Sequence, residues 1–273
     1  GGVVSRPLLR VEVMTTEKQI IETRGATINF NGLVAVDSVD FSMKQGEAVG
    51  VIGPNGAGKT TFFNLLTGLF FPTGGTILFS GTDITRVPPH KRVLLGIIRT
   101  FQLVSVFDSL PVVDNLILST HRISGHQESK RKFFFNDAHR REMEERCLDA
   151  LNLMGIENKA DVMTSELSYG EKRKLELAVA LSLEPKILLL DEPFAGLSDM
   201  EICEVSGILA EVKKKFSFVI IEHKISHILD LVGRLCVMHE GKLIAEGPPN
   251  EVLCNTLVRE VYWGKEEGLT CSV

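Results

Sequence analysis

The segment GPNGAGKT, residues 53–60, joins a short apolar strand, EAVGVI, to a helical pattern, TTFFNLLTGL. Glycines in such a loop let successive backbone N–H groups point into one concavity, and the helix that follows adds the positive end of its dipole. Gly53, Asn55, Gly56, Ala57, Gly58, Lys59, Thr60 and Thr61 are therefore expected to cradle phosphates. Lys59 is expected to reach the β- and γ-phosphates, and the Thr60 hydroxyl to complete a Mg2+ shell. This constellation binds a nucleoside triphosphate.

A second cluster lies in KILLLDEP, residues 186–193. Asp191 and Glu192 follow four apolar residues at the carboxyl end of a buried strand, where ligands bind in open parallel sheets. Asp191 is suited to hold the Mg2+ shell. Glu192 is suited to orient and deprotonate an attacking water, a role typically contributing about 10² to 10⁴ in rate. A third candidate is LSYGE, residues 167–171, where Ser and Gly at a helix N-terminus make an anion site.

The elements that must hold these residues alternate in type. ATINF, VDSVDFSM and EAVGVI read as short strands, with Asn31-Gly32 and Ser80-Gly81 as turn dipeptides, so an antiparallel start feeds a parallel strand. Between Gln102 and Leu183 strand signals vanish, and Met143, Cys147, Leu151 and Met154 recur at helical spacing. Apolar strands return at 186–190 and 217–221, separated by a helix whose Ile202, Val205, Leu209 and Val212 mark one face. That alternation implies a parallel sheet, and RLCVMHEGKLIAEG closes it as a hairpin around Glu240-Gly241. A helical stretch is expected from there to Tyr262.

Composition narrows the class. With 44 % hydrophobic and 24 % charged residues the chain is ordinary for an α/β protein, and its 273 residues bury a sizeable core. A net charge of −5 offers nucleic acid or anionic lipid no global attraction, so no nucleic-acid partner is expected. Five widely spaced cysteines, with no CxxC pair, read as inert thiols of a reducing compartment. No apolar run reaches the roughly 20 residues needed to span a bilayer. The segment before Met14 lacks a signal-peptide pattern, and a start-site artefact is expected there.

LSYGE resembles the LSGGQ signature of the ABC ATPases, with DE following about twenty residues on as in that family. The resemblance runs from about residue 20 to 265. It implies a P-loop ABC ATPase core: an α/β fold with a mainly parallel sheet, an antiparallel β subdomain and an α-helical subdomain. The division it implies is an N-terminal extension over 1–19, one ATPase domain over 20–265 with the helical subdomain inserted at about 103–183, and a tail over 266–273. In the family, ATP with Mg2+ is sandwiched across a dimer, so Ser168, Tyr169 and Gly170 are expected at the nucleotide of a partner cassette. Tyr169 replaces the family's glycine and Glu171 its glutamine.

Other positions match residue by residue. Phe30, in FNGLVAV, resembles the aromatic residue that stacks on adenine; otherwise it is a core strand Phe. Gln102, in RTFQ, resembles the glutamine that touches Mg2+ and the attacking water. His223, in VIIEHK, resembles the switch histidine at the γ-phosphate, with Lys224 replacing the usual Asp. Ala195, Gly196, Leu197 and Ser198 resemble the loop that crosses the dimer. The resemblance thus assigns catalysis to Glu192, His223, Lys59 and Gln102, and the metal to Thr60, Gln102 and Asp191.

GIIRTFQ, the insert before Ala138, AGL after DEPF and the terminal VYWGK resemble the ATP-binding subunits of branched-chain amino-acid importers, with urea importers as the close alternative. Implied partners are a second, preferably different cassette, two transmembrane permease subunits and an extracytoplasmic substrate-binding protein. The implied location is the cytoplasmic side of the membrane, held through the permeases. The insert, with Phe133, Phe134 and Phe135 among basic residues, is read as a solvated loop docking on the subdomain or a membrane partner.

Overall fold

The computed structural model describes residues 19–100, 104–127 and 137–263. Strands β1 (Gln19–Phe30) and β2 (Leu33–Lys44) form a hairpin closed by Asn31 and Gly32, whose φ angles are 50° and 100°. Strands β4 (Gly74–Phe79) and β5 (Thr82–Asp83) meet at Ser80 and Gly81, with φ 49° and 81°. Two successive positive φ values give a two-residue turn whose twist matches its flanking strands. The sheet has the order β2-β1-β4-β5 and is antiparallel throughout.

A second sheet has the order β10-β9-β3-β8-β7-β6. It comprises β3 (Ala48–Ile52), β6 (Ile97–Arg99), β7 (Ile187–Asp191), β8 (Ser217–Ile221), β9 (Arg234–His239) and β10 (Lys242–Gly247). All its pairings are parallel except β9 with β10, which form the expected hairpin. The short β6 lies within GIIRTFQ, where three residues are too few to show a period.

The parallel strands are buried on both faces, which is why they read as continuous apolar runs. Val49, Val51, Ile187, Leu189, Val219 and Ile221 point into a core shared with the antiparallel sheet and helix α1 (Lys59–Thr67). Their alternates Ile52, Leu188, Leu190, Phe218 and Ile220 face a second core with α5 (Tyr169–Ser182) and α6 (Asp199–Val212). Ile202, Val205, Leu209 and Val212 are the buried stripe of α6.

The middle of the chain contains α3 (Val112–Gln127), α4 (Asp137–Leu153), two short 3-10 turns and α5, and no strand among the described residues. Met143, Cys147 and Leu151 bury one side of α4, and Met154 continues that side. Helices α7 (Pro249–Cys254) and α8 (Thr256–Trp263) follow β10. Cys147, Cys203 and Cys236 are free thiols.

Helix α2 (Pro89–Leu95) carries Arg92, which is fully buried. Its guanidinium donates to the carbonyls of Leu65 (2.7 Å) and Leu66 (2.8 Å) in the last turn of α1. It also donates to Ile84 (2.6 Å) and Val87 (2.8 Å). Burial pushes its pKa down to about 10, so it remains charged at neutral pH. Arg92→Met would take the donor from the Leu66 and Val87 carbonyls, while Leu65 and Ile84 keep the N–H groups of Gly68 and Val87, and is expected to lower unfolding free energy by about 2–3 kcal/mol, read from the urea midpoint.

Candidate functional site

The loop after β3 owes its path to glycines at unusual φ, Gly53 and Gly58 above all. Gly53 (φ 157°) lies so close to the β9 backbone that a Cβ there would stand 2.2 Å from the Met238 carbonyl oxygen. Gly58 (φ 97°) caps α1, and a Cβ there would stand 2.4 Å from the Ala35 carbonyl oxygen. The loop is also tied to the β9–β10 turn, since Gly241 N–H donates to the Ala57 carbonyl at 3.0 Å. Gly241 in turn accepts from Asp37 N–H at 2.9 Å, which brings β2 to the same rim.

Lys59 folds back over the loop, its Nζ donating to the carbonyls of Gly53 (2.7 Å) and Pro54 (3.0 Å). Burial draws its pKa below the usual lysine value, and the nearby carboxylates of Glu192 and Asp191 oppose that shift. An open pocket of about 550 Å³ lies over the loop, lined by Asn55, Gly56, Ala57, Gly58, Lys59, Thr60, Thr61, Glu192 and His223. These nine expected site residues, separated by up to 168 positions in sequence, share one cavity. The other lining residues, Leu33, Val34, Ala35, Glu240 and Gly241, were not anticipated. Leu33, 70 % exposed just after a hairpin turn, is the signal that could have pointed to this rim.

Glu192 is set by its backbone. It has φ 48°, in the left-handed region, where a non-glycine residue stores about 1–3 kcal/mol of strain unless its neighbours fix it. Its N–H donates to the Ile221 carbonyl at 3.0 Å, continuing the β7–β8 ladder by one bond. Its carboxylate Oε1 lies 2.8 Å from His223 Nε2. Glu222, between β8 and His223, is buried and accepts from the N–H groups of Phe194 and His223, both at 3.1 Å. Burial pushes the Glu222 carboxyl above the usual carboxylate range.

Asp191 is 2 % exposed, and its Oδ2 forms a 2.6 Å ion pair with Arg99 of β6. Arg99 also donates to Asn64 Oδ1 at 2.5 Å, joining β6 and β7 to α1. Asp191 Oδ1 is buried without a hydrogen-bond partner. A Mg2+ ion bound with nucleotide takes only one or two protein oxygens and otherwise uses phosphates and water. The donor set of Asp191 and pocket-lining Thr60 fits that requirement, although no group of three or more His, Cys, Asp or Glu is arranged for a metal among the described residues. Gln102 lies outside the described residues.

The remaining expected residues are not among those lining this pocket. Ser168 caps α5, accepting from Glu171 N–H, while the Glu171 carboxylate accepts from Ser168 N–H. Lys159 contacts Glu171 and holds its carboxyl below the usual range. Gly170 is packed tightly enough that a Cβ would stand 2.0 Å from Glu201 Oε1, and Tyr169 lays its ring against Gly196. Phe30 is 40 % exposed and packs edge-on to Phe70, with ring centroids 5.3 Å apart.

A family model described as ABC transporter matches residues 36–195, more than half of the chain and from before the phosphate loop to the Asp191-Glu192 turn. The chain belongs to the ABC transporter family. It is an ATP-binding, ATP-hydrolysing cassette of that family. The branched-chain amino acid transport ATP-binding protein BraF of Pseudomonas aeruginosa is 34 % identical over 91 % of this chain and 99 % of that protein. LivG of Escherichia coli is 34 % identical over 90 % and 98 %. The lipopolysaccharide export ATP-binding protein LptB of Acidithiobacillus ferridurans is 30 % identical over 91 % and 98 %. The cassette MJ1267 in its ADP conformation superposes with a TM-score of 0.78 at 31 % identity, covering 90 % of this chain and 99 % of that one. No helix among the described residues of the cassette is long and apolar enough to cross a membrane.

Two glycine substitutions separate strain from collision in the cassette's phosphate loop. Gly56 (φ 80°) has open space around a notional Cβ, whereas Gly58 faces Ala35. Gly58→Ala is expected to weaken binding of a fluorescent ATP analogue at least tenfold, about 1.4 kcal/mol, and Gly56→Ala by clearly less.

Proposed function

We propose that this cassette energises the import of branched-chain amino acids. The observation that carries the reading is its similarity to BraF and LivG over nearly their whole length. The specific segments GIIRTFQ and VYWGK support it from the sequence side.

In this reading the chain works beside a second cassette, two transmembrane permease subunits and an extracytoplasmic binding protein, on the cytoplasmic face of the membrane. Residues 20–265 form one ATPase domain with a helical subdomain at about 103–183. The loop from Gly53 to Thr61 binds the phosphates of ATP, and Phe30 with Leu33 and Val34 flanks the adenine. Ser168, Tyr169 and Gly170, which do not line the chain's own pocket, are available to the nucleotide of the opposing cassette. Thr60, Asp191 and Gln102 would hold Mg2+, which supplies charge neutralisation on the phosphates when bound.

Glu192 acts as the general base. Its carboxylate faces the pocket with His223 Nε2 2.8 Å away, and the histidine lines the same pocket, where it can meet the γ-phosphate. Lys59 offers its ammonium to the phosphates in place of the two loop carbonyls it now holds.

Cells carrying Glu192→Gln as the only copy are expected to lose uptake of labelled leucine, isoleucine and valine while keeping urea uptake, with expression matched to wild type. Loss of urea uptake alone would move the cargo to the sister branch, and unchanged amino-acid uptake would overturn the proposal. ATP turnover by the purified complex is expected to fall about 10²-fold or more with the same substitution. Equal turnover would remove Glu192 from the base role.

A further inference from the structure

The guanidinium of Arg173 is fully buried beneath the turn that carries Glu192. It lies on α5, five residues after the cap Ser168. Its Nε donates to the Pro193 carbonyl at 3.0 Å, and its Nη2 donates to the carbonyls of Glu192 at 2.6 Å and Asp191 at 3.2 Å. Three consecutive carbonyls are thus read by one planar fork. Glu176, also buried, meets the charge through Nη1 at 2.6 Å.

Burying a guanidinium is expensive, and an apolar residue of similar volume would fill the same space without that cost. The fork does something an apolar residue cannot. Glu192 sits at φ 48°, and such a conformation persists only where its surroundings over-determine it. Its N–H is fixed by the Ile221 carbonyl, and its carboxylate lies 2.8 Å from His223 Nε2. Its carbonyl is fixed by Arg173, together with Ala195 N–H at 3.1 Å.

We infer that Arg173 is a positioning residue for ATP hydrolysis: it locks the Asp191–Pro193 backbone in the conformation that aims the Glu192 carboxylate into the nucleotide pocket. The inference rests on the reading of Glu192 as general base. Arg173 is buried outside the pocket lining and acts through Glu192. Because its helix begins at Ser168, it also ties the signature turn to the base of the same chain.

The test is a double-mutant cycle on the purified transporter complex. Arg173→Lys keeps the charge but loses the planar fork. It is expected to lower kcat about 10²-fold, the cost of a small misplacement of a reacting group, with ATP affinity within about twofold of wild type. In the Glu192→Gln background, residual hydrolysis followed by radiolabelled single turnover is expected to change less than about twofold on adding Arg173→Lys. An equal fall in both backgrounds would show a general structural role and overturn the inference, as would an unchanged kcat in Arg173→Lys alone. Wild-type turnover by Glu192→Gln would instead overturn the general-base reading, a separate failure. If Arg173→Lys does not fold, the paired replacement Arg173→Met with Glu176→Met removes both buried charges together and carries the same expectations.

Discussion

Strand β8 sits between β3 and β7, and that placement is the constraint on which the site depends. Val51 of β3 and Asp191 of β7 both pair with Ile221 at the end of β8. Parallel strands that end together put the segments following them side by side. The phosphate loop follows β3, Glu192 follows β7 and His223 follows β8. Three pieces of chemistry far apart in sequence therefore open onto one cavity. The Ile221 carbonyl extends the ladder to Glu192 N–H, so the catalytic turn is an outgrowth of the sheet.

The surroundings of that turn are unusually polar for a core. Asp191, Arg173, Glu176 and Glu222 are all buried, and each is engaged by named partners. Buried charges are costly unless paired, and the pairings here converge on the backbone and side chains around Glu192. Arg99 holds Asp191 from the β6 side and Arg173 holds the carbonyls from the α5 side. The strained φ of Glu192 is stable because most of its polar atoms already have a fixed direction.

Helices α5 and α6 start side by side, each with a capping box, Ser168 with Glu171 and Ser198 with Glu201. Gly170 admits Glu201 where any side chain would collide, and Gly196 admits the ring of Tyr169. Tyr169, a departure from the family's glycine, thus has a packing role within its own chain. Glu171, the other departure, completes the cap and is balanced by Lys159. Neither substitution disturbs the helix start that the signature requires.

The sequence by itself determined the phosphate loop, the acidic strand end, the order of strand and helix, and the three hairpin turns. These are local facts: glycine spacing, periodicity and turn dipeptides depend on near neighbours. Tertiary structure alone decided that β8 enters between β3 and β7, which depends on pairing across more than a hundred residues. It also decided that Leu33, Val34 and Glu240 rim the pocket and that Arg92, Arg99 and Arg173 are buried. Little near those arginines in sequence marks them, because most of what holds each is carbonyls or a carboxylate brought up from other elements. An arginine reads as surface until the fold supplies its acceptors.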